Sequence, residues 1–451
     1  MRAASRPCGR LSAADRVYGL SRVWSEAAYN FAFWSELPGL DWDGAYRRLL
    51  PRMAEPLPAL DWYLLLSRFL SLLDDGHTYL DLPAALLARA PLLPLRLRQI
   101  GGRHYVAAAA AGCPIPPGSE VQALDGMPFG PWLEKQVLPW CWHARPDAAF
   151  AGLYMLSRLP HGAARNAYSL IPLLRRGRTL HLTTDAGTFA VRPAPGPLRW
   201  RPAPPRPPEP LETRLRSPGL TAALTTDGIA VLTLPTFLDD AMPAAFYRLL
   251  PSLRDCRGFV IDLRGNGGGH SDNADAFAQA FRSGPFPIAQ VRHPVHIGAC
   301  KAFGTGLPPG ALDPRDPRQK QILDVCRHTL FEEELETVSR PDCPLTLTRP
   351  AVVLTDAGTA SSSENLLLAL EGRAAVVGTP SAGSTGNPLP VPLPGGGAAR
   401  ICTRRYAHAD GRPFHNLGIR PDIAAGPEPD DLRSGFDRVL ACGLAALRQR
   451  L

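Results

Sequence analysis

The chain has 451 residues, enough for two or three domains, and its apolar (45%) and charged (20%) fractions are ordinary for a globular protein. The formal net charge of +8 comes from scattered arginines without a dense basic run, which argues against nucleic-acid binding. Nine dispersed cysteines form no CxxC pair, so neither a disulfide framework nor a zinc motif is expected. No segment is typical of a signal peptide or membrane span, so we expect a cytoplasmic protein.

The first 88 residues have apolar side chains at helical spacing and predict an N-terminal helical region. The segment "SAADRVYGLSRVWSEAAYNF" begins at Ser12, a residue type that caps helices. The third predicted helix, "ALDWYLLLSRFLSLL", runs into "DDGHTYL", where Gly76 is expected to stop it. His77 therefore follows the end of a predicted helix.

Residues 89–200 change to strand periodicity and predict a small β-rich domain. Its turn signals are Gly101–Gly102 and Asp125–Gly126, dipeptides that favour hairpins. The proline-rich stretch "RPAPPRPPEP" then predicts an extended linker over 201–218.

From 219 to 425, continuous apolar strands alternate with helices, which predicts an α/β core. The strands are "GIAVLTLPTF", "GFVIDLR", "PAVVLT" and "AAVVGT", and the helices are "SDNADAFAQAF" and "SENLLLALEG". The segment 286–345 fits this pattern poorly and is interpreted as an insertion or lid. A helix is expected over 426–451.

The segment "DLRGNGGG", residues 262–269, places four glycines in five positions directly before a predicted helix. It lacks the Gly-Lys-Ser/Thr end of a phosphate loop, since His270 stands at the lysine position, and it fails the dinucleotide GxGxxG pattern. Backbone N–H groups in such a loop favour negative charge, so an oxyanion hole is one interpretation and a tight structural turn is the other.

The segment "VVLTDAGTASSSENLLLALEG", residues 352–372, places three serines where a strand gives way to a helix. Ser361 would lie beyond the carboxyl end of the strand, where open α/β sheets carry reactive groups, and the Ser362 N–H would lie at the positive end of the helix dipole. The pattern S-x-x-E is equally a capping box, with Glu364 reaching back to Ser361.

Four motifs, taken together and in order, resemble the carboxyl-terminal processing peptidases and the tricorn-core peptidases. They are "GFVIDLRGNGGG", "VVLTDAGTASSSE", "VVGTPSAGSTG" and "LGIRPDI", and the N-terminal "LLDDGHTYL" resembles a bacterial branch of that family. The resemblance implies a crotonase-like ββα core and a PDZ-like domain within 89–200. It implies Ser361 as nucleophile, and an oxyanion hole from the Ser362 N–H with that of Gly267 or Gly268.

The census of basic residues argues against a lysine as general base, and the resemblance then implies a histidine. The processing peptidases use a lysine, but the matching position here is Ser384, and the chain's three lysines are Lys135, Lys301 and Lys320. The tricorn branch uses a histidine that corresponds to His77. Rival bases are His270 and His415.

The group that orients His77 is left open among Asp75, Asp410, Glu364 and a backbone carbonyl, because the tricorn-type serine and glutamate positions hold Gly76 and the stretch "FHN". The motif "HPVH" at 293–296 with Cys300 lacks a fourth metal ligand, so no metal or other cofactor is expected.

The leading hypothesis is a serine peptidase that acts on a peptide or protein substrate through Ser361 and His77. The main alternative is a catalytically degenerate relative that binds a peptide or small apolar ligand. A weaker one is a non-peptidase hydrolase on the same core. The sequence leaves substrate preference and oligomeric state open.

Overall fold

The computed structural model describes residues 11–87, 91–136, 179–195, 206–305, 307–308, 310–338 and 343–451. Residues 201–205, the start of the predicted linker, lie outside these ranges. The chain divides into two compact units. The smaller unit combines residues 1–83, 289–336 and 386–413, and the larger unit combines residues 84–288, 337–385 and 414–451.

The smaller unit begins with the predicted helices, Ala13–Asn30, Trp42–Ala54 and Ala59–Leu70. The Ser12 cap is confirmed, since Ser12 Oγ accepts from the Asp15 N–H at 3.0 Å and Asp15 Oδ2 accepts from the Ser12 N–H at 3.0 Å. The prediction that Gly76 stops the third helix is wrong. A 3₁₀ turn, Ser71–Leu73, follows it, and the left-handed residue that ends this turn is Asp74, with φ of 46°.

Short sheets complete the smaller unit. The strand Tyr79–Asp81, in a region predicted to be helical, pairs with Ala398–Cys402, which pairs with Pro388–Pro392. The segment 286–345, interpreted as an insertion, contains the strands Phe286–Pro294 and Phe331–Val338 and the helices Gly298–Gly304 and Pro317–Cys326; Phe286–Pro294 also pairs with Arg405–His408.

The larger unit begins with the predicted β-rich region. The hairpin Leu95–Ile100/Arg103–Ala109 turns at Gly101–Gly102, where both φ angles are positive, and the Asp125–Gly126 turn likewise has positive φ at both residues, as the sequence predicted. A four-stranded sheet and one helix enclose its core. The strands of this sheet are Val121–Leu124, Met127–Pro128, Leu180–Thr184 and Gly187–Val191, and the helix is Phe129–Gln136. The remaining elements are the helix Ala84–Leu87 and the paired strands Pro91–Leu92 and Ala194–Pro195.

The core of the larger unit is a seven-stranded sheet in which the four predicted apolar strands are adjacent and parallel. The helices of this core are Met242–Leu253, Ser271–Gln279, Ser362–Ala369, Pro429–Ser434 and Arg438–Arg448. The sheet order is Glu212–Arg216, Thr221–Leu224, Ile229–Thr233, Gly258–Asp262, Ala351–Thr355, Ala374–Gly378 and Ile423–Ala424. The mixed α/β class is therefore confirmed, whereas the crotonase-like and PDZ-like assignments stay predictions.

Two details differ from the sequence prediction. The strand Glu212–Arg216 lies within the segment predicted as linker, yet it pairs with Thr221–Leu224 as the edge of the core sheet. The expected single C-terminal helix is two helices, because Gly435 adopts φ of 75° and ends the first of them at Ser434. No helix within the described ranges is long and apolar enough to cross a membrane.

Candidate active site

Ser361 lies at a sharp turn between the strand Ala351–Thr355 and the helix Ser362–Ala369. Its φ of 59° and ψ of −127° fall in a region that residues with a Cβ rarely adopt. Such backbone strain costs about 1–3 kcal/mol and persists where the surroundings hold it, commonly at functional sites. The same kind of strained strand-to-helix turn exposes the nucleophile in α/β-hydrolases. The turn thus presents Ser361 differently from an ordinary helix cap.

The glycine loop, residues 265–269, lies against the serine turn, residues 356–361. A Cβ placed on Gly268 would lie 2.6 Å from Ser361 Cβ and 3.0 Å from the Ser362 nitrogen, closer than real Cβ contacts. Gly268 also has φ of 94°, so both space and conformation require glycine. The Ala360 N–H donates to the Asn266 carbonyl at 3.0 Å. The two motifs that the sequence singled out separately therefore meet.

The hydrogen bonds of the loop distinguish its two candidate oxyanion donors, the N–H groups of Gly267 and Gly268. The Gly268 N–H donates to Asn266 Oδ1 at 2.9 Å, so it is already engaged. Within the described ranges the Gly267 N–H and the Ser362 N–H donate to no acceptor in the protein. Of the two predicted glycines, Gly267 is the better placed to offer an N–H to a developing negative charge.

The other two serines of the cluster point their hydroxyls elsewhere. Ser362 Oγ donates to the Gly269 carbonyl at 2.9 Å, which fastens the helix to the glycine loop. Ser363 is fully buried, and its Oγ has no hydrogen-bond partner in the described part of the chain. Neither hydroxyl is arranged as a nucleophile.

Glu364 is fully buried and ties the serine turn to the segment 381–385. Its carboxylate accepts from Ser381 Oγ and Thr385 Oγ1, each at 2.6 Å, from the Gly383 N–H at 2.7 Å and from the Ser384 N–H at 3.0 Å. Removal from water raises the pKa of the Glu364 carboxyl, and these hydrogen bonds offset part of the rise. Glu364 therefore fixes loops around the turn.

Ser361 itself is connected to this arrangement through its backbone. Its N–H donates to the Ser384 carbonyl at 2.9 Å and, more weakly, to Glu364 Oε2 at 3.3 Å. The second of these is the half of the capping box in which Glu364 reaches back. Ser384, at the position where a processing peptidase has lysine, thus supports the turn through its main chain.

His77 lies in the smaller unit and is buried, with 1% of its surface exposed. Its backbone N–H donates to Asp75 Oδ2 at 3.1 Å, and the same oxygen accepts from Thr78 Oγ1 at 2.7 Å. Thr78 Oγ1 in turn accepts from the Cys402 N–H at 3.1 Å. Asp75 thus holds the backbone on either side of His77 against the strand Ala398–Cys402.

A buried cysteine that the sequence did not single out lies near His77. A Cβ placed on Gly386 would be 2.4 Å from Cys402 Sγ and 3.4 Å from His77 Cβ. Burial, with the nearby Asp75 carboxylate, raises the pKa of the Cys402 thiol well above its ordinary value. The thiol therefore stays protonated, which disfavours it as a nucleophile. No motif surrounds Cys402, so only its place in the fold reveals it.

The rival groups have other partners. His270 is exposed, and its Nδ1 lies 2.6 Å from Asp240 Oδ1; their hydrogen bond lowers the pKa of Asp240. Lys320 pairs with Asp324 at 2.5 Å. Asp410 is exposed and bound to Arg412 Nε at 2.7 Å, a hydrogen bond that lowers the pKa of Asp410.

Two further groups complete the set of alternatives. His415 is half-buried in the larger unit, next to Asn416, whose N–H donates to the Gly383 carbonyl at 2.8 Å. Lys301 lies on the helix Gly298–Gly304. The "HPVH" motif places His293 3.5 Å from Glu334 and His296 against the ring of Tyr29. No group of three metal-binding side chains occurs among the residues that the structure describes.

Comparisons with known proteins agree with the motifs. Residues 228–425 match the profile of Peptidase family S41. The chain is 29% identical over 186 residues to the carboxy-terminal-processing protease of Bartonella bacilliformis; the match covers 41% of this chain and 34% of that protein.

Solved structures share the fold. Mature CPAF has a TM-score of 0.67 with 17% identity, over 95% of this chain and 96% of that one. Mature CPAF in complex with lactacystin has a TM-score of 0.66 with 16% identity, over 97% of each chain. The resemblance to carboxyl-terminal processing peptidases is confirmed, and the match spans about a third of the length of the curated relative.

Proposed function

We propose that this chain, whose residues 228–425 carry the sequence of a peptidase family S41 core, hydrolyses peptide bonds with Ser361 as nucleophile and His77 as general base. Ser361 Oγ attacks the carbonyl carbon of the scissile bond while its proton passes to the His77 imidazole. The imidazolium then gives that proton to the leaving amine, and water hydrolyses the acyl-enzyme by the reverse transfers.

The observation that carries this proposal is the strained backbone of Ser361 beside the N–H groups of Gly267 and Ser362, which donate to no acceptor among the residues that the structure describes. A helix cap gains nothing from φ of 59° with ψ of −127°, because a cap side chain works from ordinary extended backbone. A nucleophile gains exposure from that turn. The N–H groups of Gly267 and Ser362 would stabilise the tetrahedral oxyanion, a contribution worth about 10²–10³-fold in turnover for each donor.

The assignment of His77 as base rests on the motif "LLDDGHTYL" and on how its segment is built. Asp75 and Thr78 fix the backbone around His77, and the side chain is withdrawn from bulk water. A neutral imidazole held in one orientation is what proton abstraction from a serine requires. His270 has a carboxylate partner in Asp240, but its side chain is 54% exposed to solvent and it lies outside the motif that resembles the family's histidine.

The β-rich region is proposed to hold the substrate. A PDZ-like domain binds an extended chain terminus by adding it as a strand to a sheet edge, so a peptide would be fed towards Ser361 from its carboxyl end. The substrate class would then be peptides or proteins with an accessible C-terminal segment.

Serine-directed labelling tests the proposal. The full chain is treated with a fluorophosphonate probe and digested, and the modified peptide is identified by mass spectrometry. The proposal expects one adduct on Ser361 and cleavage of peptides with a free C-terminus. Absence of both would favour the degenerate binding protein, and hydrolysis of esters without peptides would favour a non-peptidase hydrolase.

A further inference from the structure

Asp356 ends the strand that leads to Ser361 and joins the two catalytic loops. Its Oδ1 accepts from the Gly265 N–H at 2.8 Å, across the strand ends, and from the Gly358 N–H at 2.9 Å within the serine turn. Its Oδ2 faces Arg98 Nη2 at 3.4 Å, a long contact. The carboxylate is 16% exposed, so it is largely shielded from competing water.

Arg264 and Asn266 hold the glycine loop on either side of Gly265, whose own N–H is bound by Asp356. Before the loop, the largely shielded Arg264 lies between Asp262 and Asp437, with its shortest contacts at 2.7 and 2.6 Å. Within the loop, Asn266 Nδ2 donates to the Leu234 carbonyl at 2.9 Å, and Asn266 Oδ1 accepts from Gly268.

The hydrogen bond from the Gly265 N–H to Asp356 fixes the direction in which the chain enters the loop after the strand Gly258–Asp262. The N–H of Gly267 donates to no acceptor within the described part of the chain. The position of the Gly267 N–H relative to the serine turn therefore depends on how the Gly265 end of the loop is held.

We propose that Asp356 is a positioning residue for the oxyanion hole, holding the Gly265 end of the glycine loop against the serine turn so that the Gly267 N–H is presented at a fixed place. This inference rests on the proposed peptidase function. The required property is a hydrogen-bond acceptor at the place of Oδ1, rather than a negative charge, because both of its partners are neutral N–H groups.

Asp185 provides a matched control. Its Oδ1 also accepts a backbone N–H, from Glu120 at 2.9 Å, and its Oδ2 also faces an arginine, Arg433 Nη2, at 3.4 Å. It lies in the β-rich region after the strand Leu180–Thr184, away from both loops in sequence. Removing its carboxylate removes a similar set of contacts without touching the glycine loop.

The experiment compares the full chain with Asp356→Ala, Asp356→Asn and Asp185→Ala. Fluorophosphonate labelling rates, kcat and KM are measured, together with hydrogen exchange of the peptide that contains residues 262–269. Asp356→Ala is expected to label and turn over about 10–100-fold more slowly with little change in KM. Its loop amides should exchange faster. Asp356→Asn should recover most of both properties, since its amide oxygen can accept the same bonds, and Asp185→Ala should match the parent.

The exchange measurement keeps the inference testable whatever the activity. Parental exchange in Asp356→Ala, or an Asn variant as impaired as the Ala variant, would overturn it. Equal slowing in Asp185→Ala would show a general loss of stability and would also overturn it. If the parent itself were not labelled while Asp356→Ala still loosened the loop, the peptidase assignment and the oxyanion-hole role would fail, and only the anchoring of the Gly265 end by Asp356 would stand.

Discussion

Gly268 packs so closely on Ser361 that a single methyl group at Gly268 would lie 2.6 Å from the Ser361 Cβ. Because Gly268 also has φ of 94°, it cannot be replaced without moving the serine turn. This contact links the glycine loop to the strained serine, and it makes the two motifs one mechanical unit.

Substitution of Gly268 should therefore lower stability by more than its positive φ alone would predict, because a side chain would also clash with the serine turn. Gly268→Ala is expected to lower both stability and kcat, since it combines a backbone penalty with a clash. Gly372→Ala is the control: Gly372 has φ of 74° but open space around its Cβ position, so it should cost only about 1 kcal/mol and leave activity unchanged. Equal effects of the two substitutions in thermal melts and peptide hydrolysis would contradict the packing argument.

Ser361 should show opposite effects on activity and stability. Ser361→Gly removes the nucleophile and relieves the strain of φ 59°, so hydrolysis should fall by at least about 10³-fold while unfolding free energy rises by about 1–3 kcal/mol. Ser361→Ala should be equally inactive without that gain. Ser363→Ala should keep the parental activity, and Ser362→Ala at least part of it. Hydrolysis that survives in Ser361→Ala would rule out the assigned nucleophile.

The identity of the base predicts a pH profile. A histidine must be neutral to accept a proton, so kcat/KM should fall on the acidic side as the imidazole of the free enzyme becomes protonated. His77→Gln should lose most activity and label slowly, whereas His270→Gln, His415→Gln, Lys301→Arg and Lys320→Arg should change little. Parental labelling and cleavage by His77→Gln would show that another group is the base.

Glu364 should matter for the architecture of the turn. Glu364→Gln replaces one acceptor oxygen with an amide NH2, which would face the N–H of Gly383 or that of Ser384, and it should cost about 1–3 kcal/mol of unfolding free energy with a fall in kcat. Glu332→Gln, on an exposed strand position, is the control and should be neutral. Urea titrations of both variants measure the difference; a neutral Glu364→Gln would refute the structural role.

His104 in the β-rich region should produce an acid-sensitive contribution to stability. Its burial lowers the pKa to about 4, so the folded state binds a proton less readily than the unfolded chain, whose histidine titrates near 6.5. The neutral histidine is compatible with the fold above pH 6.5, and up to about 3 kcal/mol is lost as pH falls from 6.5 towards 4.

A substitution isolates this effect. His104→Phe, which keeps an aromatic ring against Phe129, should unfold with a weaker pH dependence over that window. His181→Gln, at a largely exposed position, should keep the parental dependence. The measurement is the urea midpoint at pH 7 and at pH 5. The same decrease in midpoint between these pH values for the parent and for His104→Phe would contradict the prediction.

The sequence by itself determined the class of elements, and it predicted Ser361 as the nucleophile. Continuous β-branched runs must be buried on both faces, and they form adjacent parallel strands as expected. Ser12 and the Gly101–Gly102 turn were equally predictable, because caps and tight hairpins depend on residues only a few positions apart. The ordered set of motifs predicted Ser361 as the nucleophile through its resemblance to the processing peptidases.

Only the tertiary structure decided how those motifs are completed. In the structure the Gly268 N–H donates to Asn266, so that the Gly267 N–H is the better candidate for the oxyanion. Glu364 is the centre of a hydrogen-bond cluster, and Cys402 lies near His77. The tertiary structure also ends the third helix at Leu70, followed by a 3₁₀ turn that closes at Asp74, and it makes part of the predicted linker an edge strand. These outcomes depend on contacts between segments far apart in the chain, whose free energies exceed local preferences and which no local pattern of residues encodes.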